Sequence, residues 1–214
     1  MNARDLKALL DGTKTERRSV DYKERFNWLT ASKDEKAHIV KDLLAMANTK
    51  GGGKVVLGVR DGDFEPVGLE LQEFQSFDQT KVNDFLHRFA DPRFSCLVHK
   101  LPLDERLHVV LEVPEFMEIP IICKEDFNST KDNKLILKRG GLYVRTEKAT
   151  SELVSSSEEM RGLLELAVMK KENSFREMVV ALMRPTPPEK SLGKRDEPAR
   201  ASAIPNPVDL SRLR

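Results

Sequence analysis

A chain of 214 residues is long enough for one domain with a proper core and leaves no comfortable room for a second. Charged residues make up 33% of it, the mean hydropathy is −0.47, and no apolar run approaches the ~18 residues that read as a membrane span. A membrane protein is therefore not expected, and Met1-Asn2-Ala3-Arg4-Asp5 lacks the apolar core of a signal peptide, which makes an unexported, cytoplasmic protein the expectation.

Asp5 to Leu10 form a short amphipathic turn of helix that Asp11-Gly12 ends. Ser19 to Tyr22 read as a strand with Val20 and Tyr22 on one face and Ser19 and Asp21 on the other. In the connection from Phe26 to Ser32, Trp28 and Leu29 are expected to pack on the core. Ser32 with Glu35 is a capping box, and Val40, Leu43, Leu44 and Ala47 follow at the spacing of one apolar helix face. Asn48 and the glycines at 51 to 53 stop that helix, with Asn48 as its C-cap. Val55 to Val59 is then an apolar run too short for a helix and reads as a buried strand, with Asp61 at its carboxyl end.

Asp63 to Gln75 read as a polar loop. Val82, Phe85, Leu86 and Phe89 repeat the helical spacing up to the Asp91-Pro92 step. Phe94, Cys96 and Val98 alternate as a half-buried strand, Asp104-Glu105 suits a hairpin turn, and Leu107 to Val113 is a central strand. Ile119 to Cys123 is a short strand or, because of Pro120, an edge or irregular segment. Leu135 to Leu137 and Leu142 to Val144 read as a hairpin around the basic turn Lys138-Arg139-Gly140-Gly141. Ser155 with Glu158, or Ser156 with Glu159, caps a last helix carrying Leu163, Leu164, Ala167 and Val168 and running on through Phe175, Met178, Val179 and Leu182. Its second half suits a partner subunit. From Pro185 the composition turns proline-rich and polar, so residues 185–214 are expected to be a disordered tail on a domain spanning 1–184.

The net charge of +1 hides a segregation: residues 1–60 hold 13 basic against 8 acidic side chains, residues 131–148 hold 6 against 2, and residues 61–130 hold 6 against 15. If the two basic segments meet in the fold they form a positive surface. Glycines in the Lys138-Arg139-Gly140-Gly141 turn let a phosphate backbone approach while lysine and arginine supply charge. Cys96 and Cys123 lack metal-ligand spacing and read as buried, reduced thiols. Gly51-Gly52-Gly53-Lys54 lacks the spacing of a phosphate loop and precedes a strand, so no nucleotide cofactor is expected. The four histidines share no spacing that supports a zinc site or a hydrolytic triad.

Ala47-Asn48-Thr49 with Gly51-Gly52, Leu57-Gly58-Val59 with Asp61, and Val67-Gly68-Leu69 together resemble the AlbA-like nucleic-acid-binding domain repeated in the core of the Schlafen family. Upstream, Glu16, Asp21 and Lys23 match the family's opening segment, and Tyr143-Val144-Arg145 matches its late Tyr-x-Arg strand. The resemblance extends over roughly residues 5 to 168. It implies an α/β (mixed-sheet α+β) domain, a mixed β-sheet flanked by helices, like one lobe of the Schlafen core. It also implies a site. Nuclease members of the family carry three carboxylates at the positions of Glu16, Asp21 and Asp61, which would ligate Mg²⁺ or Mn²⁺ with Lys23 alongside to orient water or stabilise charge. The second acid is aspartate here where the family usually has glutamate, one methylene shorter. Implied partners are RNA such as tRNA, or DNA, held by Arg17, Arg18, Lys138, Arg139, Arg145 and Lys148. Because the Schlafen core clamps nucleic acid between two such lobes, a homodimer of this single lobe is expected. A metal-dependent endoribonuclease, a non-catalytic DNA- or RNA-binding or regulatory module, and an interaction protein without nucleic acid are the three functional classes in play.

Overall fold

The computed structural model describes residues 1–11, 18–60 and 62–183; the expected tail lies outside them. Helix α1 (Ala3–Asp11) leads to strand β1 (Val20–Lys23), helix α2 (Lys33–Ala47) and strand β2 (Gly53–Leu57). The capping box predicted for α2 is present. Ser32 Oγ accepts the Glu35 amide at 3.2 Å and Glu35 Oε2 accepts the Ser32 amide at 2.8 Å, which satisfies two of the otherwise orphaned amides of the first turn. Then come α3 (Leu71–Ser76), inside the stretch expected to be loop, α4 (Gln79–Leu86), the two-residue β3 (Ala90–Asp91), β4 (Leu97–Leu103) and β5 (Arg106–Val113). α4 ends five residues before Asp91, and Phe94 and Cys96 precede β4, where Asn83 holds the Cys96 backbone from both sides at 2.8 and 2.9 Å.

The principal sheet has the order β1-β2-β5-β4, with β1 parallel to β2 and the rest antiparallel. α2 is the crossover between the two parallel strands. Asp104 and Glu105 make the β4–β5 turn with φ of 47° and 64°, the positive values a tight primed hairpin turn demands. On one face of the sheet Leu6 of α1 meets Val20, Tyr22, Val56, Val59 and Val110. On the other lies the larger core built around α2.

That helix is buried on nearly every side, since Ile39, Ala45 and Met46 are as enclosed as the predicted stripe of Val40, Leu43, Leu44 and Ala47. A helix covered all round needs a second layer, and the rest of the chain supplies it. β6 (Ile122–Cys123) pairs with β3, β7 (Phe127–Asn128) with β8 (Leu135–Leu137), and β9 (Tyr143–Arg145) with β10 (Ser151–Leu153). Leu135–Leu137 and Leu142–Val144 therefore do not form the expected hairpin. The turn between them passes the chain from one ribbon to the next because its backbone bonds are taken elsewhere: Gly140 N–H donates to Cys123 O at 2.7 Å, and Lys138 N–H to the Tyr143 hydroxyl at 2.9 Å. Trp28 is buried as expected, whereas Leu29 is exposed. Both cysteines are free and buried; burial pushes the Cys96 thiol up to about 12 and that of Cys123 to about 11, so neither is a nucleophile near neutrality.

The glycine turn is structural. Gly52 sits at φ +74°, and a Cβ there would stand 2.2 Å from Val113 O, so only glycine lets the turn close on the end of β5. Asn48 caps α2 and also bridges layers. Its Nδ2 donates to Ile121 O at 2.8 Å and Tyr143 O at 3.0 Å, and its Oδ1 accepts the Ile121 amide at 2.8 Å. The last helix, α5 (Ser157–Met183), starts at Ser156, whose Oγ accepts the Glu159 amide at 3.1 Å, the second of the two expected caps. Its first half rests on the core through Leu163 and Leu166, and Lys170 Nζ reaches Glu115 at 3.4 Å.

Candidate functional site

Where β1 faces α2 and β9, four charged side chains are brought under the surface. Alternation along β1 puts Asp21 and Lys23 on the face opposite Val20 and Tyr22, toward α2. Asp42 comes from α2, and Arg145 and Ser151 come from the β9–β10 ribbon. Lys23 Nζ lies 2.6 Å from Asp21 Oδ2 and 3.5 Å from Asp42 Oδ2. Both terminal nitrogens of Arg145 donate to Asp21 Oδ1 at 3.3 Å, and its Nη1 is 3.8 Å from Asp42 Oδ1. Ser151 Oγ accepts from Arg145 Nη1 at 3.1 Å and donates to Asp42 Oδ1 at 2.7 Å. Two carboxylates and two cations make the cluster neutral, as a buried set of charges must nearly be. Only Lys23 opens appreciably to solvent, its side chain 35% exposed.

Burial, and then the neighbouring Asp42 carboxylate, push the Asp21 carboxyl up against the opposing pull of Lys23 and Arg145. Burial alone would lower the Lys23 ammonium; Asp42 and then Asp21 outweigh it and hold that group above its ordinary value.

Of the residues expected in a metal site, the structure places Asp21 and Lys23 side by side. Glu16 and Asp61 lie outside the described residues. β1 and β2 are adjacent and parallel, with Lys23 opposite Leu57, so the end of β1 stands beside the strand that leads to Asp61. A divalent cation needs hard oxygens with room around them. Both oxygens of Asp21 are engaged by cations, and Asp42 is held by Ser151, Lys23 and Arg145. Among the described residues no group of three or more His, Cys, Asp or Glu side chains is placed to hold a metal ion.

Of the residues expected to face nucleic acid, Arg145 is the clear exception. Its side chain is 1% exposed and committed to Asp21, Asp42 and Ser151, so it acts inside the domain and not on a surface. Arg18, Lys138, Arg139 and Lys148 are exposed, and Arg17 lies outside the described residues. Arg18 reaches Glu147 at 3.7 Å, so the two basic segments of the sequence do meet, through Arg18 on one side and the Arg145–Lys148 turn on the other. The Lys138-Arg139 turn is anchored where the Arg139 amide donates to Asp126 at 2.7 Å.

Sequence reasoning missed Asp42 and Ser151. The signal for Asp42 was an acid within the largely apolar stretch Ile39 to Ala47; a lone serine at the start of a strand carries none.

A mixed sheet, a crossover helix enclosed between that sheet and three small ribbons, and a neutral charge cluster at the parallel edge define a single α+β lobe. The chain belongs to the family described as Schlafen, AlbA_2, whose model matches residues 16–154. Comparison with curated proteins gives no match. Among solved structures, the DIP2311 protein from Corynebacterium diphtheriae aligns with a TM-score of 0.46 at 17% identity over 74% of this chain, which spans 30% of that protein. The N-terminal domain of a RecG-related protein from Nitrosomonas europaea aligns with a TM-score of 0.39 at 21% identity over 65% of this chain and 88% of that one. No helix among the described residues is long and apolar enough to cross a membrane.

Proposed function

We propose that this domain binds nucleic acid, with structured RNA such as tRNA as the substrate class, along the surface where its two basic segments meet. The observation that carries this is the contact of Arg18 with Glu147, which brings the start of β1 beside the exposed Lys148 and so joins the two segments in which the sequence concentrates its basic residues. Family membership supports it independently. Phosphate contacts by lysine and arginine release counterions, so affinity falls as salt rises, with a slope that counts the contacts. Neutralising Lys138 and Arg139 to alanine is expected to weaken tRNA binding and to reduce the salt slope by about 2, roughly one per cation, with folding unchanged because both side chains are exposed. Fluorescence anisotropy at several salt concentrations measures both. An unchanged affinity and slope would remove this turn from the interface.

A second reading, metal-dependent endoribonuclease with Glu16, Asp21 and Asp61 as ligands and Lys23 beside them, draws support from the 2.6 Å Lys23–Asp21 pair, since a lysine beside a ligating carboxylate can stabilise charge developing on a phosphate. Asp21 would have to exchange its present cationic partners for a metal, so the binding reading is preferred.

Assembly belongs to the same proposal. The free face of α5 presents Leu164, Val168, Phe175 and Met178, spaced four, seven and three apart and each more than half exposed, the seam on which a second such helix packs. Two copies paired there would rebuild a two-lobed clamp. Light scattering is expected to give twice the 24.3 kDa chain mass at micromolar concentration, and Phe175→Glu to restore the monomer. A wild-type monomer with and without RNA would dismiss the pairing.

A further inference from the structure

Away from the charge cluster, a groove of about 360 Å³ lies between the Trp28–Leu29 segment, α2 and α4. That volume is within the roughly 300–1,000 Å³ of small-ligand sites. Its walls combine Trp28, Leu29 and Phe85 with three cations, Lys36, Lys81 and Arg88. Asp84 is the single acid on the rim.

Some cations elsewhere on the molecule are neutralised by acids. Arg25 pairs with Glu70 and Glu73, Arg60 with Asp63 and Glu65, Lys54 with Glu112, and Lys134 with Asp132. Among the described residues no carboxylate, Asp84 included, lies within 4.0 Å of the charged nitrogens of Lys36, Lys81 or Arg88. Lys36 and Arg88 are instead held over aromatic rings, Lys36 Nζ 5.8 Å from the centre of Trp28 and the Arg88 guanidinium 5.7 Å from that of Phe85 and 5.5 Å from that of Phe89. Such contacts fix a cation's position while leaving its N–H donors free. Lys81 and Arg88 are moreover two of the six basic residues in the otherwise acidic stretch 61–130, and both face the groove.

Three unneutralised cations against one acid call for an anionic occupant, and the exposed Leu29 beside a ring-backed guanidinium calls for one with a flat apolar part. A nucleotide of an unpaired strand has both: phosphates for the cations, and a base that stacks on an arginine plane as readily as on an aromatic ring. We infer that this groove is a second nucleic-acid contact, taking a single-stranded nucleotide, with its phosphates on Lys36, Lys81 and Arg88 and its base against Leu29 and the Arg88 guanidinium. The inference rests on the nucleic-acid-binding reading and adds single-strand recognition to it.

Trp28 is the chain's one tryptophan and lines the groove, so its fluorescence reports occupancy. A ten-nucleotide single-stranded RNA is titrated into the full chain with quenching and anisotropy read together, using wild type, Lys81→Glu/Arg88→Gln, and Lys138→Ala/Arg139→Ala. The expected result is quenching in wild type and at least about a tenfold loss of single-strand affinity, with no quenching, in the Lys81/Arg88 variant, phosphate and stacking contacts each being worth that order. Lys81→Glu alone, which touches no ring, should weaken binding in the same direction and guards against a folding defect. Equal affinity and quenching in wild type and the Lys81/Arg88 variant, with binding lost only in the Lys138/Arg139 variant, would overturn the groove and leave the nucleic-acid reading standing. No binding of the RNA by wild type, or quenching by polyglutamate in its place, would likewise overturn the groove, and anisotropy with tRNA on the same proteins decides the wider reading separately.

Discussion

Replacing Arg145 by methionine is expected to lower the free energy of unfolding by about 3–5 kcal/mol, the usual consequence of removing one partner from a buried ion pair and leaving its counter-charge behind. Methionine fills much the same volume, so the loss isolates charge from packing. Asp21 and Asp42 would then face each other with Lys23 alone to compensate them. Adding Asp21→Asn to this background should recover about 0.5–3 kcal/mol, the range for coupled neighbours, because the stranded carboxylate is gone. Urea unfolding of the two single variants and the double measures all three. A loss below about 1 kcal/mol for Arg145→Met, the range of exposed pairs, would mean that water reaches the cluster.

The pH dependence follows from the same groups. Folding raises Lys23 above its ordinary value, so its stabilising contribution is fully present below about 10.5 and is lost as pH rises through the folded value. Folding also raises Asp21, so that group binds its proton more readily in the native state and its contribution to stability increases, not falls, as acid is added toward its ordinary value of 3.8.

The second large effect concerns Asp61. If the domain cleaves RNA, Asp61→Asn keeps the side chain's shape and removes a charged ligand, so Mn²⁺-dependent cleavage of total tRNA should be abolished while binding stays intact or tightens slightly as a repelled phosphate is relieved. Equal cleavage by wild type and variant would strike Asp61 from the site. Absence of cleavage by wild type across tRNA, rRNA and single-stranded DNA with Mg²⁺ or Mn²⁺ would leave the binding module.

How much of this was legible in the sequence depended on whether a signal was local. The capping box of α2, the β4–β5 turn at Asp104-Glu105 and the buried run of β2 are each written within a few residues and could be read directly. The Leu135–Val144 segment could not. Two strands around a glycine turn look like a hairpin, and only the claims on the turn's backbone groups by Cys123 and Asp126, upstream of the segment, and by the Tyr143 hydroxyl within it send them to different ribbons. Arg145 was misplaced for a related reason: an exposed and a buried arginine look alike in sequence until their partners, here 124 residues away at Asp21, are known. Asp21 and Lys23 could be placed on one strand face by alternation alone, but Asp42 and Ser151 belonged to other elements and came into view only with the fold.

The unsupported half of α5 gives the proposed pair a dimension. Among the described residues Lys170 is the farthest along the helix to pair with the body of the domain, and Met183 stands thirteen residues further on, a rod of about 20 Å at 1.5 Å per residue. Two copies joined along such rods would form a caliper whose gap is set by helix length and not by the flexibility of a loop. Each seven-residue insertion that preserves the seam would widen that gap by about 10 Å. The girth of the nucleic acid accepted would then be a property of α5, independent of any residue that touches it.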